Sequence, residues 1–328
     1  MMNRSSLASA VVALLVCWCM VLSSSVAAQP YPTKPLRIIV GQTAGGISDL
    51  IARMVAQRFT EVFKQPAVVE NRAGAAGGIG TEMAVRAAAD GYTLLLSSAG
   101  PIVINPGLYR KLSYDPLRDL APIAFLASSP LVLVLHPSVP AKTVKELIAL
   151  AKAQPARLSY GSGGNGSPPH LSAELFKSMT GTRMTHIPFK GSAPSVMALV
   201  GGQVDLSFST VAVTLPQVNA QRIRALAVTS PRRSLAVPHL PTMAEAGLPG
   251  FESQQWFALF GPAALSKDII TRLTFEATRW LESGDVRARL SQEGAEPGTL
   301  TLDQFTAFIR TDAARWTKVI KASGATAD

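Results

Sequence analysis

The stretch "RIIVGQTAGGISDLIARMVAQRF" at 37–59 decides the architecture. Its first residues continue an apolar run, 36–40, short enough for a buried strand. A glycine-bearing loop follows, and then Leu50, Ile51, Met54, Val55, Phe59, Val62 and Phe63 recur at helical spacing. A strand passing through a tight loop into an amphipathic helix is the building unit of an α/β protein. In open α/β sheets the crevice at the carboxyl ends of the strands is where ligands sit, so the loop itself becomes a candidate site. It is not a Walker-type phosphate loop, because Ile47 stands after Gly46 where a lysine is required ahead of the hydroxyl of Ser48.

The same alternation continues along the chain. Strands are expected over 36–40, 67–70, 93–97, 123–126, 131–135, 158–161, 185–187, 204–208, 223–228 and 256–260, with helical patterns between them. Thr143 and Glu146 form a capping box opening one of these helices. From Ser266 onward the pattern is helical, with no sheet of its own to cover, so these helices are expected to return to the first part of the chain. That predicts two discontinuous lobes, 29–128 plus 252–328 and 129–251. The crossings fall at "LVLVLHP" and "FESQQWFALFGP".

Residues 1–28 combine Arg4, an apolar run and "SSSVAAQP", which reads as an export signal cleaved after Ala27 or Ala28. The apolar part is shorter than the roughly 18–20 residues of a spanning helix. Cys17 and Cys19 both leave with it, so the exported chain holds no disulfide and is expected to be soluble. The formal net charge is +10, but the Lys and Arg are scattered, "PRRS" at 231–234 being the densest pair. That lacks the clustered basic stripe of a nucleic-acid binder.

Two further glycine-rich loops follow strands, "NRAGAAGGIG" at 71–80 and "YGSGGNGSPPH" at 160–170. Glycine allows close backbone approach, and a helix N-terminus offers free N–H donors with partial positive charge, so three such loops together would seat an anion. The glycines at 74, 77, 78 and 80 miss the dinucleotide fingerprint. No G-x-S-x-G occurs, no histidine pairs with another ligand at metal spacing, and no cofactor is expected. Asp49 either receives a ligand amine or complements the dipole of its helix. His170 either donates to a carboxylate or caps its helix. Lys190 is an anion-steering group or a solvated lysine.

Taken in order, "YPTKPLRIIV", "GGISD", "VVENRAGAAGGIGTE", "AADGYTLL", "INPGLYRKLSYDPLRDLAPIAFL", "YGSGGNGSPPHLSAELFKSMTG", "HIPFKGSAP", "LVGGQVDLSF" and "LPTMAEAGLPGFE" resemble the Bug-type solute-binding receptors of tripartite tricarboxylate transporters. The resemblance implies a two-lobed periplasmic binding protein, type II-like, with hinge strands crossing between lobes. Such a receptor captures a small carboxylate for membrane transporter subunits, is periplasmic, monomeric by default and not an enzyme. Two other readings stand beside it: a receptor that signals through a membrane sensor, and a secreted α/β enzyme. Carried over by position, Thr43, Ala44, Gly45, Gly46 and Asp49 would serve the ligand from the first lobe, flanked by Ser97, Ser98 and Ala99. Gly164, Asn165, Gly166, Ser167 and His170 would approach from the second, with Lys190 and Gly191 at the rim. Ser209 and Thr210 would meet the far end of the ligand, and Trp256 and Phe257 would wall the cleft. The first loop lacks the family's prolines, Phe189 replaces a tyrosine, and Ser209 stands where many members carry an aspartate, which favours a plain carboxylic acid over an amino acid.

Overall fold

Leu36–Val40 (β1) has Ile38, Ile39 and Val40 completely buried, as an inner strand of a parallel sheet requires. A computed structural model describes residues 31–327, and the export signal expected over 1–28 lies outside the described residues. Ile47–Phe63 (α1) follows β1, then Ala67–Asn71 (β2), Gly78–Val85 (α2) and Thr93–Ser98 (β3), with β2 and β3 parallel to β1 on either side. α1 buries Ile51, Val55, Phe59 and Phe63 as its spacing predicts. Burying each of these side chains contributes about 1.5–3 kcal/mol. Lys64, in the left-handed conformation, ends the helix by donating its N–H to the Thr60 carbonyl.

The chain then passes through the helical turn Gly100–Ile104, Asn105–Leu108 (α3) and Pro116–Asp119 (α4) into Leu120–Leu135 (β4). A second βα layer is built by Val144–Ala153 (α5), Ser159–Ser162 (β5), Pro168–Thr180 (α6), Thr185–Pro188 (β6), Ser192–Val200 (α7), Leu206–Thr210 (β7), Val211–Asn219 (α8) and Arg224–Val228 (β8). Gln254–Pro262 (β9) returns to the first layer. Lys267–Leu281 (α9), Gly284–Gln292 (α10), Glu296–Pro297 (β10) and Leu302–Ser323 (α11) complete the chain.

The two strands expected at 123–126 and 131–135 are one 16-residue strand, β4. Its first part pairs with β9 as far as Pro130↔Gln254, and from Leu131 onward its partners are β7 and β8. Proline has no N–H to give the ladder, so the exchange of partners falls where one ladder bond is missing in any case. Strand order is β2-β1-β3-β9-β4-β7-β5-β6, and this shared strand joins two lobes.

Registers show how the lobes face each other. β3 is antiparallel to β9 and β9 to β4, so β3 runs along β4, and its Ser98 stands level with Ala127 across Phe257. β7 runs against β4 and ends with Thr210 beside Leu131. The carboxyl ends of the two parallel layers therefore approach the same part of β4 from opposite directions. They end four residues apart (131 − 127), or about 13 Å at the rise of an extended strand.

The C-terminal helices depart from expectation in one respect. α9 packs on β4 and α1 as expected, but α11 contacts α3, β4 and also α6 of the second layer, so it braces both. Beneath α11, Trp256 is surrounded by Phe125, Phe260, Phe305 and Phe308, and its indole N–H donates to Asp312 Oδ2 at 2.8 Å. Trp256 thus belongs to the core and not to a cleft wall, because strand alternation turns it under α11. Among the described residues no helix is long and apolar enough to cross a membrane. Replacing Asp312 with Ala would leave that indole donor buried without a partner. It should lower unfolding free energy by about 1–3 kcal/mol in chemical denaturation, and Asp312→Asn, which keeps an acceptor, by less.

Candidate functional site

Whether a helix N-terminus carries a side-chain cap separates two groups of helices. α4, α5, α6, α9, α10 and α11 are capped by Asp115, Thr143, Ser167, Ser266, Ser283 and Thr301. At Thr301 the capping box is complete, whereas Glu146 reaches the Lys142 N–H instead of that of Thr143. α1, α7 and α8 begin after β1, β6 and β7 at Gly46, Gly191 and Thr210, and none of the three has a side-chain cap. Their first N–H groups are left facing the strand ends, where they can meet a ligand anion.

The loops of the first lobe interlock because they lack side chains. A Cβ on Gly41 would lie 2.6 Å from the Gly77 carbonyl oxygen, and one on Gly80 would lie 2.7 Å from Gly41 Cα. Thr43, Ala44, Gly45 and Gly46 are exposed. Asp49 is buried, and its Oδ2 accepts from Gly45 N–H at 3.0 Å and Arg53 Nε at 2.9 Å. Burial raises its pKa, but these hydrogen bonds outweigh it and hold the carboxyl below its usual value. Asp49 therefore fixes the loop and is neutralised by Arg53 through Oδ2, while its Oδ1 is buried with no hydrogen-bond partner. Ser97 and Ala99 are buried beside Ser98 at the end of β3.

In the second lobe the glycine loop is organised by its own side chains. Ser167 Oγ donates to the Gly164 carbonyl at 2.7 Å and accepts from His170 N–H, while Gly164 N–H bonds to Ser162 Oγ at 3.1 Å. The Ser167 hydroxyl is thus engaged within the loop, leaving Asn165 exposed at its tip. His170 is 6 % exposed, and its Nδ1 accepts the Gly166 N–H at 3.0 Å. It supports the loop and does not reach out as a donor. Burial, and then the adjacent His186, push its pKa down from 6.5 to about 4. Gly163 and Gly164 pack against 189–192, which places exposed Lys190 and half-buried Gly191 beside them. Ser209 Oγ is buried with no hydrogen-bond partner at the end of β7.

A cavity of about 270 Å³ brings Ser98 and Gly100 of the first lobe opposite Asn165, Gly166 and Ser167 of the second. The lobes touch at its edge, since a Cβ on Gly166 would fall 2.4 Å from Leu108 Cδ1. Thr43–Gly46, Lys190, Ser209 and Thr210 do not line this cavity. Sequence reasoning missed Ala76, Asn105, Leu108, Tyr109 and Gln255, which do. The signal was available in "INPGLY", whose asparagine is buried and donates from Nδ2 to the Ala76 carbonyl at 3.3 Å. That bond holds a strained turn, for Ala75 and Ala76 have φ of 47° and 49° between Gly74 and Gly77, also at positive φ. Among the described residues no group of three or more His, Cys, Asp or Glu is placed to hold a metal ion.

Two lobes joined by a shared strand, with loops of both meeting at an interlobe cavity, have the architecture of a solute-binding protein. Residues 51–325 match the model of the tripartite tricarboxylate transporter family receptor, and the chain belongs to that family. It is 38 % identical over 305 residues to protein BugT of Bordetella pertussis, covering 93 % of this chain and 94 % of that one. It is also similar to a solved structure of R. palustris Rpa4515 with adipate, at 37 % identity and a TM-score of 0.74, over 90 % of this chain and 99 % of that one. MatC from Rhodopseudomonas palustris with bound malate matches at 29 % identity and a TM-score of 0.71, over 88 % and 100 %.

The left-handed pair offers one test. Ala76→Gly should raise unfolding free energy by about 1 kcal/mol, measured by denaturant titration, since only the alanine methyl is strained there. His170 offers another. Its folded-state pKa lies below the unfolded value, so the stability it contributes is present above pH 6.5 and is lost as pH falls toward about 4. Denaturation midpoints for wild type should fall across that window, and fall less for His170→Gln.

Proposed function

We propose that this chain is an exported, periplasmic receptor that closes its lobes on a small carboxylate and delivers it to the membrane subunits of a tripartite transporter. The observation that carries this reading is the contrast in capping. α1, α7 and α8, which follow strands toward the crevice, have no side-chain cap, whereas α6 beside them is capped by Ser167 and α5, α9, α10 and α11 elsewhere are capped by Ser or Thr. Each helix end favours a nearby anion by about 0.3–1 kcal/mol, more when water is excluded, so several around one crevice bind a carboxylate without a cationic side chain.

In this reading the lobes are 29–128 plus 252–328 and 129–251. The backbone of Thr43, Ala44, Gly45 and Gly46 holds one carboxylate, with Ser98 beside it. Gly164, Asn165, Gly166 and Gly191 approach it from the opposite lobe, and Lys190 attracts anions at the rim. Ser209 and Thr210 meet the far end, where the buried and unpartnered Ser209 hydroxyl awaits an acceptor or donor. The adipate and malate of the similar structures support a dicarboxylic acid as ligand. Asp49 Oδ2 is committed to Gly45 and Arg53, and Ser209 stands at the far end without a carboxylate to receive an amine, which favours a plain acid over an amino acid. The role assigned is binding without chemistry.

The test is a melting screen of the purified protein with adipate, malate and a panel of mono-, di- and tricarboxylates, alongside mass spectrometry of small molecules released on denaturation. A true ligand at 100 times its Kd should stabilise the fold by about 2.7 kcal/mol. If no acid shifts melting and none is released, the proposal is wrong.

A further inference from the structure

Behind the glycine loop of the second lobe, three rings are stacked. The His170 and His186 imidazoles lie 4.1 Å apart at 12°, and His186 lies 4.8 Å from the Tyr160 ring. Both histidines are bonded to the loop in front of them. His170 Nδ1 accepts the Gly166 N–H at 3.0 Å, and His186 Nε2 lies 2.6 Å from Ser162 Oγ, which in turn accepts the Gly164 N–H. Accepting an N–H requires a lone pair on Nδ1, so this arrangement needs neutral His170 with its proton on Nε2.

We propose that the His170–His186 stack is a proton-sensitive latch on the 162–167 loop, with His170 the positioning residue that sets Gly166 in its ligand-binding conformation. Protonating Nδ1 turns the acceptor into a donor facing another donor, which expels the Gly166 N–H and loosens the loop. The inference rests on the carboxylate-receptor reading for its consequence, because Gly166 lines the interlobe cavity. Its structural half stands without a ligand.

The groups facing the latch are few. Glu174 and Lys177 come from α6, Tyr160 from β5 and His186 from β6. Glu174 accepts from Tyr160 and from Lys177 Nζ, with Oε1 3.8 Å from His170 Nε2. The carboxylate is thus already paired with an ammonium and a phenol, and compensates little for a second cation in the stack. Burial, and for His170 the neighbouring imidazole, lower the pKa of both histidines, so stacking and desolvation act against protonation together.

The test follows the Gly166 amide and the His170 imidazole by NMR in uniformly 15N-labelled full-length mature protein from pH 8 to 4, without ligand. The two should shift together with one midpoint well below 6.5. His170→Gln, whose side-chain oxygen accepts an N–H without titrating, should keep the Gly166 resonance near its wild-type position at pH 7 and remove its pH dependence. His170→Phe keeps a ring in the stack but offers no acceptor, and should displace the Gly166 resonance at every pH. With adipate as probe, wild-type affinity should fall by about fourfold more than that of His170→Gln between pH 7 and 3.5, the ligand's own titration being common to both. A Gly166 amide that ignores the His170 titration, or a His170→Gln protein with the wild-type pH profile, overturns the latch. If adipate binds neither protein while the amide and imidazole titrate together, the latch stands and adipate is not the ligand.

Discussion

Everything at the crevice depends on one strand shared between two sheets that run in opposite senses. β4 pairs with β9 up to Pro130 and with β7 and β8 beyond it, so the first parallel layer points along β4 and the second against it. Their carboxyl ends, with the loops and helix N-termini that follow, are thereby aimed at each other across a few residues. A change of partner at a residue with no N–H breaks little of the ladder, which also makes it a natural place for the lobes to pivot. α11 braces the arrangement from behind by contacting α6 as well as α3 and β4.

Given that geometry, the site needs little charge. Asp49 and Arg53 neutralise one another beneath the first loop, and the helices that start after Gly46, Gly191 and Thr210 have no side-chain cap on their first N–H groups. Fixed dipoles of this kind attract an anion without the desolvation cost of a buried cation. The glycine loops reach this packing because they have no Cβ: Gly41 and Gly80 touch backbone to backbone, and the Ala75–Ala76 turn is strained, held by Asn105.

Several side chains that looked available in the sequence are already engaged. Asp49, Ser167 and His170 sit at helix starts beside glycine loops, where polar residues either touch a ligand or shape the loop, and the same residue types at the same spacing serve both purposes. Their hydrogen bonds to Gly45, Gly164 and Gly166 assign them to the loop. Trp256 follows the same logic, since the strand it lies on is legible but the face it takes depends on where α11 packs. Asn105 and Leu108 escaped notice because they stand in an irregular helical turn far along the chain from any glycine loop they meet.

The sequence by itself determined the α/β alternation, the positions of the strands, the three glycine loops and the family, because local apolar periodicity and turn chemistry write these within a few residues. It also showed that the first seat has no lysine. Only the tertiary structure decided that two predicted strands are one, that the strand ends converge, and which polar groups face the crevice. Those outcomes depend on partners far away in the chain, such as Leu131 with Thr229, Trp256 with Asp312 and Gly166 with Leu108. No local pattern encodes a partner a hundred residues away, so the direction in which a buried polar side chain points is settled only when the lobes are assembled around it.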